Sequence, residues 1–438
     1  MRIFAYSLTM VAAIAPLLIA ALSLILRLFD IASIKTLIFD EVYYVDGARD
    51  LLAYGVEVDQ ANPEFIVHPP IGKWMIASGI KVFGDNPFGW RVATAVVGAL
   101  MILLIALIAH KLFYSPLLTA LASALMALDG MTLVHSRTAM LDNFLAFFIL
   151  IATYFFISRL YMWSGLFLGL ALATKWSASY FIALFGVIAL YRVFSHYTGR
   201  DLIIPTLRRA IAFAVIPLST YLISWWGWFA SDRGWGRDHS KNPITSFVYY
   251  HNQILNFHTN LTDKHDYQAN PWSWLILGRP TSFFYESPKN CGADSCSQEV
   301  LALGTPLLWW LATIALAIVI GFWIRSLVLR QRDPAASIIV VGMAAGYLPW
   351  FFMQHRTVFS FYSIVFEPFL ILALVYCAKL FLQTQGKKGG RAYLYAQMTL
   401  GTVVILIAMN FIYFLPLYLG LSIPYSDWVA HMWFKSWI

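Results

Sequence analysis

Charged residues are scarce in this sequence: Asp, Glu, Lys and Arg make up 12% of its 438 residues, whereas 60% are hydrophobic and 17% are aromatic. Soluble globular domains carry about 25% charged residues, so this composition excludes a soluble domain of this size. Apolar runs also extend throughout the chain. The sequence therefore predicts a polytopic membrane protein.

No cleavable signal peptide is expected, and no internal repeat stands out. The first apolar run is too long for a signal peptide and has no small-residue cleavage site after it, so it is interpreted as the first transmembrane helix. No repeat of fixed period and no low-complexity segment is present. Eleven largely uncharged runs have roughly the 15 to 25 residues that a bilayer-spanning helix needs. They centre on residues 6–28, 90–110, 115–130, 142–158, 161–174, 177–192, 209–230, 301–323, 335–353, 358–378 and 393–418.

Lys and Arg residues predict the orientation, because they favour the cytoplasmic side of short loops. An N-terminus in the cytoplasm places on that side Lys111, Arg159, Arg192, Arg200, Arg208, Arg209, Arg325, Arg330, Arg332, Lys379, Lys387, Lys388 and Arg391. The outer side then receives two long loops, residues 29–89 and 231–300, and a short aromatic stretch, residues 419–438. The net charge of +8 follows mainly from this topology, and no nucleic-acid partner is expected.

Cysteine is rare as well, and two of the three cysteines, Cys291 and Cys296, lie in the second outer loop. Oxidising conditions on that side would allow them to form a small-loop disulfide. Their spacing is not that of a zinc site, and no nearby histidine completes one. Cys377 stands alone in the tenth run and is interpreted as a small apolar filler.

An acidic pair, Asp40 and Glu41, opens an amphipathic segment in FDEVYY, residues 39–44, and Gly55 ends that segment. The spacing of its apolar residues predicts a short helix with Asp40 as the N-cap. Capping leaves Glu41 unexplained. The capping role and a catalytic role for the pair therefore both stay open at this point.

Further charged residues accompany this pair on the outer side. Two prolines in HPPIGKWM, residues 68–75, would hold His68 and Lys73 on a rigid loop near the membrane surface; the alternative for Lys73 is snorkelling from an interfacial helix. Charge at or inside the outer end of a span is costly and usually faces a cavity or a partner. Six residues lie there, namely Arg27, Arg91, Arg137, Asp142, Lys175 and Arg356. Their convergence predicts a polar cavity that opens outward.

Several cations beside a few carboxylates, at the level of the lipid headgroups, suit a lipid phosphate ligand. Arg and Lys donate charge-assisted hydrogen bonds to phosphate oxygens. We therefore expect displacement of a lipid phosphate from a sugar, with cations stabilising the leaving phosphate. Asp40 or Glu41 would take the proton of the acceptor hydroxyl.

The order of these motifs resembles the protein O-mannosyltransferase family, membrane glycosyltransferases of the GT-C class. The resemblance extends to about residue 370 and is carried by Arg27 and then FDEVYY, HPPIGK, GWRVATAVVGA, LDGMTLVHSRTAMLD, GLALATKWSA, PWSWLILGRP and YLPWFF. It implies an all-α fold of about eleven transmembrane helices in one membrane-embedded domain, residues 1–438, with the active site on the outer face. It also implies inverting transfer of mannose from a polyprenyl-phosphate mannose donor to Ser or Thr hydroxyls of exported polypeptides.

The resemblance makes Asp40 the expected base and Glu41 an organiser of the site. Arg27 and Arg91 match the family's functional arginines and are expected to bind the phosphate or sugar of the donor. Charged motif positions with an expected role in donor phosphate binding match Arg137, Lys175, Arg279 and Arg356. Further site candidates are His68, Lys73, Asp142 and His265. Association with the secretion channel would fit an exported acceptor.

The second outer loop, residues 231–300, is too short for the β-trefoil MIR domain of eukaryotic members, which indicates a bacterial, actinobacterial-type protein of the plasma membrane. This loop contains two histidines and two aspartates whose side chains suit several divalent ions, namely His258, Asp263, His265 and Asp266. The family is not characteristically metal-dependent, so no cofactor is expected. Glu367, inside the tenth run, is assigned no catalytic role.

Two other functions stay open. A secondary transporter would also show many spans and a few buried charges, although transporters tend to be built from repeated halves with charged sites near the midplane. Another GT-C glycosyltransferase could use a lipid-phosphate sugar to modify a lipid or a polysaccharide. That enzyme would need the same donor cavity and the same base, and product analysis with a Ser- or Thr-rich peptide would distinguish the two.

Overall fold

The structure, a computed structural model, describes residues 2–59, 62–289 and 291–438, with side chains from residue 14 onward. Helices dominate this part of the chain: α1 Arg2–Leu28, α2 Glu41–Tyr54, α3 Ile71–Phe83, α4 Pro87–Phe113, α5 Pro116–Ala127, α6 Gly130–Arg137, α7 Leu141–Ile157, α8 Tyr161–Leu172, α9 Ala178–Phe194, α10 Ile203–Ala210, α11 Ile216–Ser224, α12 Trp226–Ala230, α13 Pro243–Asn260, α14 Pro306–Val328, α15 Pro334–Tyr347, α16 Glu367–Gly386, α17 Gly390–Leu419 and α18 Tyr425–His431. The strands are β1 Val58–Asp59, β2 Asn62–Pro63, β3 Thr281–Glu286, β4 Cys296–Ala302 and β5 Ser422–Pro424.

Within the described residues, six helical segments are long and apolar enough to cross a bilayer: Pro87–Phe113, Gly199–Ser224, Pro306–Val328, Pro334–Phe352, Glu367–Gly386 and Gly390–Leu419. Helices α5 and α6 meet at 59° and make a seventh if they are counted as one bent span. The shorter apolar helices are the Ile14–Leu28 part of α1, α7, α8 and α9. Each of the eleven predicted runs coincides with or overlaps one of these segments. The fold is a multi-span membrane protein, and eleven as the number of crossings stays a prediction.

The first predicted outer loop folds into two helices, α2 and α3, and the antiparallel hairpin of β1 and β2. Gly55 adopts φ 73°, in the left-handed region, and ends α2 as the sequence predicted. Helix α3 packs closely on α4: Gly79 lies against the backbone of Gly89 and leaves no room for a Cβ. This close packing holds the first loop against the helix bundle.

A small sheet in the second outer loop was not foreseen. Strands β3, β4 and β5 pair antiparallel in that order, and Cys296 in β4 lies opposite Pro424 in β5. Cys296 also forms a disulfide with Cys291. The sheet therefore ties the stretch after α17 to the loop between α13 and α14.

A cluster of buried aromatic residues joins the two outer loops to each other. Val56 and Val58, at the end of α2 and in β1, pack with Trp225, Trp228 and Tyr250. The hydroxyl of Tyr250 donates to the carbonyl of Ile66 over 3.1 Å. These contacts position the segment that carries His68 between α2 and α13.

Candidate active site

Asp40 lies directly before α2 and is half-buried. Its Oδ2 accepts a hydrogen bond of 3.0 Å from the hydroxyl of Tyr44, one turn further along. The carboxylate caps no backbone N–H of α2, so the predicted capping role is wrong. The reason is the backbone of Asp40, with φ −71° and ψ −5°, which is helical, whereas capping side chains reach the helix from an extended residue.

The ionisation of Asp40 is subject to opposing influences. Burial raises the pKa of its carboxyl group above the ordinary value, and nearby Asp142 adds to the rise. Lys175 and the hydroxyl of Tyr44 act in the opposite direction, because both stabilise the carboxylate. Burial thus makes the carboxylate a stronger base, while Lys175 and Tyr44 hold it in place to accept a proton.

Lys175 and Asp142 form a buried ion pair beside Asp40, with 2.7 Å between Nζ and Oδ2. Lys175 comes from the turn between α8 and α9, and Asp142 from the first turn of α7. The ammonium group also lies 5.1 Å from the ring centre of Tyr362. An ammonium has three N–H donors, so the ion pair leaves Lys175 able to bind a further anion.

Arg356 and two histidines complete this side of the site. The ring of His68 lies 6.1 Å from the ring of Tyr44 and 5.4 Å from that of His258. Burial and the charge of Lys175 lower the pKa of His68 well below its ordinary value, and burial lowers that of His258 to about 4. Both imidazoles are therefore neutral at pH 7.

Arg356 is half-buried and lies within electrostatic range of both histidines and of Tyr362. Among the described residues, none accepts a hydrogen bond from its side chain, and its Nε is buried without a partner. A guanidinium group of this kind is available to an anionic ligand.

Glu41, the second acid of FDEVYY, is fully buried and faces another set of partners. Its carboxylate accepts two hydrogen bonds from Arg91, of 2.8 and 2.7 Å, and two more from the backbone N–H groups of Ala139 and Ile38. The remaining N–H groups of Arg91 donate hydrogen bonds to backbone carbonyl groups of the first outer loop, those of Ile31, Ile34 and Thr36. Glu41 and Arg91 thus fix that loop to α4. The predicted binding of donor phosphate by Arg91 is not supported, because all of its N–H groups are occupied.

Two more residues that were predicted to bind the donor phosphate, Arg137 and Arg279, donate hydrogen bonds to backbone carbonyl groups. Arg137 donates to carbonyl groups at the end of α1 and just beyond it, including that of Arg27 at 3.0 Å and that of Phe29 at 2.5 Å. Arg279 donates to the carbonyl of Asp266 and to those of Ser436 and Ile438 near the end of the chain. Most N–H groups of both guanidinium groups are thus occupied by backbone carbonyl oxygens.

Arg27 is buried completely and does not face an open cavity. Its Nη1 donates to the side chain and carbonyl of Ser23, while Nε and Nη2 have no partner among the described residues. The carboxyl groups of Asp129 and Glu367 lie within electrostatic range. Glu367 accepts a hydrogen bond of 2.5 Å from Thr132. Arg27 therefore belongs to a buried polar cluster of the bundle.

Lys73 is buried away from Asp40, whereas His265 is exposed near it. Lys73 is buried and forms an ion pair with Glu57, so the snorkelling interpretation is wrong. His265 is exposed and lies at the rim, with its ring 6.3 Å from that of Phe39, next to Asp40. In the described part of the chain no group of three or more His, Cys, Asp or Glu side chains could hold a metal ion, and the loop of His265 forms none.

Sequence reasoning missed three residues of this site. Tyr44 stands four positions after Asp40, a spacing that brings the two side chains together once the helix is recognised. His135 lies in the HSR motif, with its ring 5.6 Å from that of Phe283 and 5.9 Å from that of Phe361. No sequence pattern pointed to Tyr362. It lies in the short helical turn before α16, and only the folded structure brings that turn next to Lys175.

Comparison with protein families gives two matches in series. The model described as dolichyl-phosphate-mannose-protein mannosyltransferase matches residues 17–230. The model described as the C-terminal four-transmembrane region of protein-O-mannosyltransferase matches residues 243–437.

Curated relatives named polyprenol-phosphate-mannose–protein mannosyltransferase are similar over nearly the whole chain. The protein from Corynebacterium glutamicum is 32% identical over 96% of this chain and 92% of its own length. The protein from Mycobacterium tuberculosis is 31% identical over 96% of this chain and 90% of its own length.

Solved structures show the same fold. The protein O-mannosyltransferase Pmt1–Pmt2 complex of S. cerevisiae, bound to the sugar donor, matches with a TM-score of 0.81 at 13% identity, over 98% of this chain and 92% of that chain. ArnT from Cupriavidus metallidurans, bound to undecaprenyl phosphate, matches with a TM-score of 0.55 at 16% identity, over 92% of this chain and 76% of that chain.

Proposed function

Since this chain belongs to the protein O-mannosyltransferase family, we propose that Asp40 is the base of a mannosyl transfer from polyprenyl-phosphate mannose to a polypeptide hydroxyl. The observation that carries this proposal is the placement of Asp40. Of the two adjacent acids, only Asp40 faces the cluster of Lys175, Tyr362 and His68. Glu41 is occupied by four hydrogen bonds and acts as a positioning residue.

In the proposed reaction, the oxygen of a Ser or Thr side chain attacks C1 of the mannose. The bond between C1 and the phosphate oxygen breaks, the lipid phosphate leaves with the electron pair, and the hydroxyl proton passes to Asp40. Attack from the face opposite the leaving group inverts the configuration at C1. A phosphate leaves readily when cations neutralise its developing charge, so the reaction needs no protein acid.

Lys175 and Arg356 are the proposed ligands of the donor phosphate. Both lie close to the residues around Asp40, and both retain N–H donors after their contacts within the protein are counted. Asp142 holds Lys175 in position. His68 is neutral, so the positive charge that binds the phosphate comes from Lys175 and Arg356. These two cations supply the charge-assisted hydrogen bonds that a phosphate requires.

We place this site on the extracytoplasmic face of the plasma membrane, with the N-terminus in the cytoplasm. The Lys and Arg distribution supports this orientation, and an exported, unfolded polypeptide would present its hydroxyl groups on that face. Association with the secretion channel would deliver such segments. The membership in a glycosyltransferase family decides against a secondary transporter.

Replacement of Asp40 tests the proposal. In proteoliposomes with polyprenyl-phosphate mannose and a Thr-rich peptide, Asp40→Asn should lower transfer by at least about 100-fold, the usual contribution of a general base. Asp46→Asn, at an exposed position of the same helix, is the matched control and should keep its activity. Transfer by Asp40→Asn at the wild-type rate would contradict the proposal. Transfer of mannose to a lipid or polysaccharide, with none to the peptide, would identify the other GT-C activity.

A further inference from the structure

A cavity lies at the far end of α2 from Asp40, between the two outer loops. Five aromatic residues line it, namely Trp74, Trp225, Trp228, Trp235 and Tyr250. Two carboxylates, Glu57 and Glu64, are the charged residues of the lining. None of these residues has a part in the proposed transfer reaction.

The two acidic residues of the lining differ in their partners. Glu57 is only 4% exposed; its Oε1 binds Lys73, and its Oε2 accepts no hydrogen bond from a described residue. The side chain of Glu64 accepts none either, and Asp46, Asp50 and Asp59 all lie within electrostatic range of it. Lys73 is the cation with the largest influence on Glu64. Of the arginines nearby, Arg49 pairs with Asp46 and Asp85, and Arg237 lies over the ring of Trp228. Glu64 itself forms no ion pair with a described residue, so its carboxylate is available to a further cation.

We propose that this cavity binds the side chain of a Lys or Arg residue of the acceptor polypeptide. A cation gains from aromatic faces and from unpaired carboxylates together. Among the tryptophans of the lining, Trp74 is 39% exposed, whereas Trp225 and Trp228 are each 3% exposed, so Trp74 offers the ring that a ligand from solvent would meet first. A Lys or Arg side chain combines an apolar stem that can pack on Trp74 with a charged end for Glu64.

The position of the cavity sets the register of this contact, that is, the number of residues between the bound Lys or Arg and the modified Ser or Thr. Helix α2 has 14 residues and is therefore about 21 Å long. An extended polypeptide covers that length with roughly six residues. We therefore expect the bound cation about six residues from the modified Ser or Thr. This register depends on the proposed function, whereas binding of the cation itself does not.

Peptides with a single Thr test the inference. A Lys is placed from two to ten residues to either side of the Thr, and a matched peptide carries Gln instead. In proteoliposomes, the ratio of kcat/KM for the Lys peptide to that for the Gln peptide should reach roughly tenfold near the sixth position, a value in the range of a cation–π contact. Glu64→Gln and Trp74→Leu should each bring the ratio close to one. Glu286→Gln, at an exposed position of β3, should leave it unchanged.

Direct binding separates this inference from the proposed function. The fluorescence anisotropy of a dye-labelled Lys peptide without Ser or Thr should rise with wild-type protein and rise less with Glu64→Gln, whether or not mannose is transferred. Equal binding by wild type and Glu64→Gln, or a ratio independent of register, would overturn the inference. Competition by phosphatidylethanolamine vesicles together with indifference to the peptide would also overturn it, since the occupant would then be a lipid amine.

Discussion

The hydroxyl of Tyr44 donates to Asp40 and stabilises its carboxylate, while burial acts against ionisation. Tyr44→Phe removes this hydrogen bond, so the pKa of Asp40 should rise. A base with a raised pKa is lost at higher pH as the solution is acidified. The acidic limb of kcat/KM for mannose transfer should therefore move to higher pH, by roughly 0.5 to 1 unit.

Tyr43→Phe is the matched control for this prediction, because Tyr43 is the neighbouring tyrosine and is exposed. Its pH profile should coincide with that of the wild type. An unchanged acidic limb in Tyr44→Phe would mean that Asp40 does not set the pH dependence.

Arg356 and Arg279 offer a comparison between two arginines that the sequence alone treats alike. Arg356 has no partner within the described protein, whereas the guanidinium of Arg279 holds carbonyl groups. Arg356→Gln should raise the donor KM or lower kcat/KM by roughly 10- to 100-fold, the effect of one charge-assisted hydrogen bond. Arg279→Gln should leave the donor KM near its wild-type value. A larger effect on the donor KM from Arg279→Gln than from Arg356→Gln would reverse the assignment.

Sequence reasoning found the charged residues of the site but not their partners. Asp40, Asp142 and Lys175 were predicted as site residues, and the structure brings them together. Arg91 looked the same in sequence as Arg356, because both are charges near the outer end of a span. The difference lies in Glu41, which is 50 residues away from Arg91 in sequence, and a single sequence gives no measure of such a contact.

The next larger scale is that of the elements, where the pair of Glu41 and Arg91 joins the start of α2 to α4. Glu41→Gln leaves the buried guanidinium of Arg91 without its counter-ion, which typically costs about 3–5 kcal/mol. We expect a clear fall in the thermal unfolding temperature in detergent, together with lower activity. Asp40→Asn should leave the unfolding temperature nearly unchanged, since the side chain of Asp40 caps no helix.

The outcome separates two roles for the second acid of FDEVYY. A stable Glu41→Gln protein without activity would show that Glu41 takes part in the chemistry. A destabilised protein whose residual activity scales with the folded fraction would show that Glu41 positions the loop.

Helices and strands differ in how well the sequence predicted them. Apolar runs identify the membrane helices because a bilayer imposes length and hydrophobicity on each segment separately. The sheet of β3, β4 and β5 has no such local signal. Ser422 in β5 pairs with Gln298 in β4, and a strand of three residues cannot be recognised without its partner.

At the scale of the whole molecule, two faces with different chemistry follow from the predicted topology. Asp40, Lys175 and Arg356 belong to segments on the predicted outer side, and the turn between α16 and α17, with Lys387 and Lys388, belongs to the predicted cytoplasmic side. Cysteine labelling tests this directly. In a Cys377→Ser background, Tyr43→Cys should react with a membrane-impermeant maleimide in intact cells, and Lys388→Cys only after permeabilisation.

Both labelled positions are exposed in the structure, so the readout depends on the side of the membrane rather than on burial. Cys291 and Cys296 are joined in a disulfide and do not react without a reductant. Labelling of Lys388→Cys in intact cells, with protection of Tyr43→Cys, would invert the topology. The proposed base would then face the cytoplasm, where an exported polypeptide could be modified only before it crosses the membrane. The predicted pattern instead leaves the acceptor to meet Asp40 after export, so that mannose transfer requires the donor sugar to be carried to the outer face on its lipid.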